Sequence, residues 1–341
     1  MYESYYGLSG KPFQLNPDPA FFFGSRGHKR AFAYLQYGVY QSEGFIIITG
    51  EVGAGKTTIV RSLFEQLDHQ RLVAAQLVST QLDAEDMLRA VAAAFGLPAK
   101  TVDKATLLGS LEAFLCKLAV ANKRALLVVD EAQNLSPRAV EELRMLSNFQ
   151  LGEQALLQSF LIGQPELRAM MQSAQMQQLR QRVIASYHLG PLDKSETQGY
   201  IEHRLEHVGW KGDPRFSSDA FDRIHTMSGG IPRRINTLCN RLLLSGYLGE
   251  KHAFGADDVN AIAREIHDEL GPEAALATVP SAERDVEQSI PVPESRTLLT
   301  HVRDIEERID RLERTVTSAV ELLHKLLHRD RASKPGTPAG R

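Results

Sequence analysis

The apolar positions of this chain change period along its length, and the changes mark its organisation. Phe45–Thr49 is a short unbroken apolar run, the pattern of a strand buried on both faces. Ahead of it, residues 28–40 set Ala31, Leu35 and Val39 on one side of a helix. Behind it, Ile59, Val60, Leu63, Phe64 and Leu67 do the same. Leu72–Val78 predicts a second strand. Asp83 is placed to cap a helix that runs to about Phe95, where Gly96-Leu97-Pro98 stops it. A helix is expected over Thr106–Val120, then an apolar strand from Ala125 that ends in two acids, Asp130 and Glu131. Further core strands are expected at Leu156–Ile162 and Ala185–Leu189. From Pro191 the pattern is purely helical, with segments near Lys194–Val208, Ser217–Met227, Pro232–Leu248 and Ala256–His267. This predicts an α/β domain over residues 1–190, a parallel sheet with helices on both faces, followed by a small all-helical domain over 191–270.

Periodicity is then lost. Residues 271–297 carry Gly271, Pro272, Pro280, Pro291 and Pro293 among charges and read as a flexible linker. Residues 298–330 show a heptad. Val302, Ile309, Val316 and Leu323 occupy one seam position, and Leu298, Ile305, Leu312, Ala319 and Leu326 the other, with Glu306, Arg308, Arg311 and Glu313 between them. A coiled-coil helix is expected there, self-associating or partner-binding, and a disordered tail over 331–341.

The chemistry is concentrated where the first strand ends. Gly50, Glu51, Val52, Gly53, Ala54, Gly55, Lys56 and Thr57 fit G-x-x-x-x-G-K-[ST], with Thr58 beside them at the start of a helix. Such a loop turns successive N–H groups inward around phosphates, and the helix N-terminus adds partial positive charge. Lys56 can reach the β- and γ-phosphates of a nucleotide, and the Thr57 hydroxyl can ligate Mg²⁺. Asp130 is placed to hold the same ion through its water shell, and Glu131 to polarise an attacking water. One strand intervenes in sequence between the loop strand and the acidic strand. This spacing predicts the branch of phosphate-loop folds in which another strand lies between those two.

Other residues keep two readings. Gln164 either orients the water or only makes the turn before Pro165. Arg180 and Arg182, just ahead of the last strand, either reach a neighbouring subunit's nucleotide or lie plainly on the surface. Arg233 and Arg234 follow Gly229-Gly230-Ile231-Pro232 and oppose the dipole of the helix they begin, a cost that points to phosphate across a cleft. The aromatic N-terminus, with Tyr2, Tyr5, Tyr6, Phe13 and Phe21 to Phe23, is expected to pack on the nucleotide domain, some of it lining the base pocket. His203-Arg204-Leu205-Glu206-His207 matches the inverted zinc-protease pattern H-x-x-E-H, but with no third ligand motif in view a solvated helix face is preferred.

Bulk properties narrow the classes. The formal net charge is −3, so the chain offers nucleic acid no global attraction and only a local basic patch could bind it. The two cysteines, Cys116 and Cys239, fall in apolar helical patterns and read as reduced core thiols. The N-terminus lacks the basic and apolar regions of a signal peptide, and no apolar run approaches the roughly 20 residues of a membrane helix. The expectation is a cytoplasmic protein with peripheral membrane contact at most.

Taken together, MYESYYGLSGKPFQLNPDPAFFF, GEVGAGKTT, VVDEAQNL, LIGQPEL, LRQRV and SGGIPRRIN resemble the AAA+ ATPases of the general secretion pathway protein A (ExeA-like) group. Within that group they are similar to the subgroup encoded with exosortase (XrtA, PEP-CTERM) and exopolysaccharide loci. The resemblance covers about residues 1–268. It implies an ASCE-type P-loop NTPase domain with a helical lid, and ATP and Mg²⁺ as ligands. It also implies assembly into a homo-oligomer such as a ring, and partners in the envelope, secretion or polysaccharide-export machinery. Lys56 and Thr57 would be Walker A, Asp130 and Glu131 Walker B, Gln164 sensor 1, Arg182 or Arg180 the arginine finger, and Arg233 sensor 2. Relatives in the group commonly add a transmembrane segment and a periplasmic peptidoglycan-binding part, and neither is expected in these residues. A nucleic-acid-associated regulator, like related ATPases that load transposases onto DNA, is the alternative. A non-hydrolysing scaffold is a third, which Glu131 disfavours.

Overall fold

A computed structural model describes residues 1–78, 82–99 and 102–276. The expected coiled coil and tail, and the linker beyond residue 276, lie outside them. Five parallel strands, β1 (Phe45–Gly50), β2 (Leu72–Val78), β3 (Arg124–Asp130), β4 (Leu157–Gly163) and β5 (Val183–Leu189), form one sheet in the order β2-β3-β4-β1-β5. β4 thus separates the loop strand β1 from the acidic strand β3, as the spacing of the motifs predicts.

The central strands β1, β3 and β4 are buried on both faces, the edge strands β2 and β5 only in part, and alternate residues of each strand serve opposite layers. Ile46, Ile48, Leu126, Val128, Phe160 and Ile162 pack with α1 (Arg26–Gln41) and α2 (Lys56–Gln66). Phe45, Ile47, Leu127, Val129, Leu157 and Leu161 pack with α3 (Ala84–Ala94), α4 (Lys104–Val120), α5 (Pro137–Leu146) and α6 (Pro165–Gln172). Asp83 caps α3 as expected, accepting from the N–H groups of Glu85 and Asp86. α5 and α6 are additions to the elements expected from the apolar pattern. The former opens with Ser136 accepting from Ala139 N–H and Pro137 at the first helical position, both ordinary start signals.

The lid consists of α7 (Lys194–His207), α8 (Ser218–Ser228), α9 (Pro232–Leu248) and α10 (Ala256–Leu276) around a separate core with Ile201, Ile224, Ile235, Cys239 and Leu242. α10 continues into the segment read as linker from residue 271. The N-terminal segment corrects an expectation. Tyr2, Tyr6, Leu8 and Phe13 are buried in the lid core, and Phe21 and Phe23 pack against it, whereas Phe22 turns to the sheet domain. The strap therefore joins both domains instead of packing on the nucleotide domain alone.

Candidate nucleotide-binding and hydrolysis site

β1 delivers the chain into a loop whose glycines are needed for close approach as well as for backbone shape. Gly53 (φ 83°) and Gly55 (φ 97°) adopt left-handed backbone. A Cβ on Gly53 would lie 2.4 Å from Cβ of Arg233, and one on Gly55 would lie 2.7 Å from Nε2 of His28. The lid and α1 thus press on the loop from two sides. At the first contact, the Arg233 N–H donates to the Gly53 carbonyl at 3.2 Å. At the second, His28 Nε2 lies 3.0 Å from the Ala54 carbonyl. A carbonyl only accepts, so the proton is on Nε2, and Nδ1 accepts from the Ser25 hydroxyl at 2.7 Å. Ser25 also caps α1. Burial pushes the His28 imidazole below its ordinary value, against the opposing bond to Ala54.

Lys56 is only 7% exposed, and its ammonium donates to the carbonyls of Gly50 (2.6 Å) and Glu51 (2.9 Å). Burial pushes it below the usual lysine range, while Glu131, Asp130 and Glu51 pull it back. Thr57 Oγ1 donates to Asp130 Oδ2 at 3.0 Å, and the Glu131 N–H donates to the other Asp130 oxygen. Asp130 is buried and its carboxyl is pushed up by that burial. A hydroxyl and a buried carboxylate side by side are hard oxygen donors of the kind Mg²⁺ takes when substrate phosphates complete its shell, so these residues fit that ion.

Glu131 faces the same cleft as Lys56, Thr57 and Arg233. Burial works to raise its carboxyl, but the amides of Gln164 and Gln133, with Lys56 and Arg233, outweigh burial and hold it below the ordinary value. Gln164 Nε2 donates to Glu131 Oε2 at 3.0 Å, so this glutamine does more than make a turn. Gln133 donates to the same oxygen at 2.7 Å. Neither Gln133 nor His28 was singled out from sequence. A glutamine two residues past the acidic pair and a histidine at a helix start carry no period that betrays them. Arg233 lines the cleft, whereas Arg234 is half-buried, and burial lowers its guanidinium against the opposing charge of Glu51.

The strap forms the cleft's other wall through Leu15, Asn16, Asp18 and Phe22. Buried Arg204 holds it, donating to the carbonyls of Pro12 (2.5 Å) and Gln14 (3.4 Å) and to the Tyr200 hydroxyl (2.9 Å), with its guanidinium 4.7 Å over the Phe21 ring. The H-x-x-E-H histidines belong to this contact. His203 lies 5.7 Å from the Phe23 ring and is half-buried, whereas His207, 4.2 Å from Phe21, stays exposed together with Glu206, so strap aromatics cover part of this face and the rest is solvated as expected. Arg180 and Arg182 stand apart from the cleft. Arg180 donates to the carbonyls of Met171 and Ser173, and Arg182 to the carbonyl and hydroxyl of Ser147.

Fold and site together define a P-loop NTPase fold, and residues 39–171 match the family model described as AAA domain. Over 268 residues, 78% of its length, the chain is 39% identical to the General secretion pathway protein A of Aeromonas hydrophila. It spans about half the length of that relative, 48%. Among solved structures it resembles the Aeropyrum pernix ORC2 protein (TM-score 0.54, 18% identity, 75% of this chain and 71% of that one). It also resembles Cdc6p from Pyrobaculum aerophilum (TM-score 0.54, 16% identity, 82% and 74%). Identities this low speak for the fold alone.

Proposed function

We propose that the chain is a Mg²⁺-dependent ATPase that serves an envelope or secretion process. One observation carries the catalytic part: Lys56, the Thr57–Asp130 pair, Glu131 and Arg233 converge on one cleft between sheet and lid. Lys56 exchanges its loop carbonyls for phosphate oxygens, and the loop N–H groups bind the remainder. Thr57 would ligate Mg²⁺ and Asp130 would hold it through its water shell, and the ion would supply neutralisation of phosphate charge. Glu131 accepts a hydrogen bond from the attacking water. The water oxygen bonds to the γ-phosphorus as the bond to the bridging oxygen breaks, ADP leaves with the electron pair, and the water proton passes through Glu131 to solvent or phosphate. Arg233 reaches the γ-phosphate from the lid, so that lid closure reports the nucleotide state.

The export role is supported by the similarity to General secretion pathway protein A and, for an exosortase or exopolysaccharide system, by the motif resemblance. The working form is a cytoplasmic homo-oligomer, peripheral at the membrane, in which Arg182, with Arg180 as runner-up, completes the neighbour's site. Phosphate release and nucleotide binding test the core assignment. Lys56→Ala should lose nucleotide affinity, and Glu131→Gln should bind ATP and lose turnover. Turnover equal to the parent's in Glu131→Gln would remove the assignment.

A further inference from the structure

Glu131 holds left-handed backbone (φ 53°, ψ 39°) where β3 ends, a conformation that non-glycine residues keep only when neighbours fix it. The side chain is fixed by two glutamines from different strand ends. Nε2 of Gln133 and Nε2 of Gln164 both donate to Oε2 of Glu131. Gln133 also accepts, through Oε1, from the backbone N–H of Gln164 at 3.0 Å. A carboxylate only accepts and a backbone N–H only donates, so the Gln133 amide has a single satisfactory orientation. β4 leaves room for it, since a Cβ on Gly163 would lie 2.9 Å from Gln133 Oε1. Oε1 of Glu131 takes no hydrogen bond from any described residue, and Glu131 lines the cleft.

We infer that Gln133 is a positioning residue for hydrolysis, clamping Glu131 by Oε2 so that Oε1 is presented to the attacking water. The inference rests on reading Glu131 as the water-polarising group and adds how that group is aimed. A carboxylate free to rotate about its last torsion spends part of its time with neither oxygen on the water. Two charge-assisted bonds to one oxygen remove that freedom. Gln133 also ties Glu131 to the start of α6, so the two strand ends that bear the water-handling groups move as one. Only a side chain that both donates and accepts can do this, which a carboxylate or an ammonium cannot.

Two variants separate aiming from scaffolding. Gln133→Met keeps length and volume without either bond. Gln133→Glu keeps the acceptor for the Gln164 N–H but sets a second carboxylate against Glu131. At saturating ATP both should lower kcat about tenfold or more, with the ATP dissociation constant within about twofold of the parent's. Gln133→Glu should be no faster than Gln133→Met. A Gln133→Glu protein as fast as the parent would reduce Gln133 to docking α6 and overturn the inference. So would a loss confined to nucleotide affinity or melting temperature. Glu131→Gln is measured alongside. If it turns over like the parent, the reading of Glu131 fails. If it is inactive while both Gln133 variants match the parent, the clamp alone fails.

Discussion

At Gly53 and Gly55 single hydrogen atoms stand where two other elements touch the phosphate loop, and His28 is one of the two contacts. Its position gives a prediction with a definite sign. Burial lowers the imidazole in the folded protein, so the unfolded chain, titrating near 6.5, takes up a proton that the folded chain resists. The contribution is present above about pH 6.5 and is lost as pH falls through that value, at no more than about 1.4 kcal/mol per pH unit for one group. His28→Gln retains a side-chain N–H but cannot titrate. Its stability should fall less steeply than the parent's between roughly pH 6.5 and 5 in denaturant unfolding. His203 and His225 are lowered by burial too, so a reduced slope is expected to persist. Identical slopes in variant and parent would show that His28 is not protonated on unfolding in that range.

Among the elements, the strap has the widest reach, with Phe13 buried in the lid core and Leu15, Asn16 and Asp18 on the cleft wall. Phe13→Ala removes a ring that is only 2% exposed and should cost about 3–5 kcal/mol, read as a lower melting temperature. Arg204→Lys is the finer test. Lysine keeps the charge but not the planar fork that bridges Pro12, Gln14 and Tyr200. Nucleotide affinity should drop while the lid stays folded, and unchanged affinity would mean that the strap wall does not touch the ligand. This element also shows where the sequence was and was not legible. β2 was legible to the residue and the other core strands within a few, because the central strands, buried on both faces, are continuous apolar runs and the edge strand β2 is apolar but for Gln76. The loop motif and acidic strand end were legible because their chemistry needs fixed residue types at fixed spacing. Aromatic residues such as Tyr2 and Phe13 announce burial without an address, so the strap is expected on one core where it joins two. Gln133 and His28 each owe their place to one long-range hydrogen bond, with the Gln164 N–H and the Ala54 carbonyl, which leaves no pattern along the chain.

At the scale of the molecule, the cleft lies at the carboxyl ends of the strands and Arg182 at the opposite end. Val183 pairs with Phe45, the first residue of β1, and the Phe45 N–H donates to the Arg182 carbonyl. The six residues of β1 set the phosphate loop roughly 17–20 Å from that point. A guanidinium there cannot reach its own nucleotide, so any contribution from it is made to another subunit. Arg182 suits this better than Arg180. Arg180 Nη1 lies 2.5 and 2.6 Å from its two carbonyls, whereas Arg182 Nη1 holds Ser147 at 3.1 Å on both contacts. Arg182 also lines a surface recess with Arg144 and Gln181. Bidentate contact with γ-phosphate oxygens would stabilise transition-state charge, an effect of about 10³–10⁵ for fingers of this type. Specific activity should therefore rise with protein concentration. Mixing decides the matter. Glu131→Gln has a dead site and an intact Arg182, and Arg182→Ala has an intact site without the finger. Each alone should be inactive, and the mixture should recover part of the parent's activity, since some interfaces then pair a sound site with a sound finger. Subunits shown to exchange without any return of activity, or an Arg182→Ala protein as active as the parent, would remove Arg182 from the reaction.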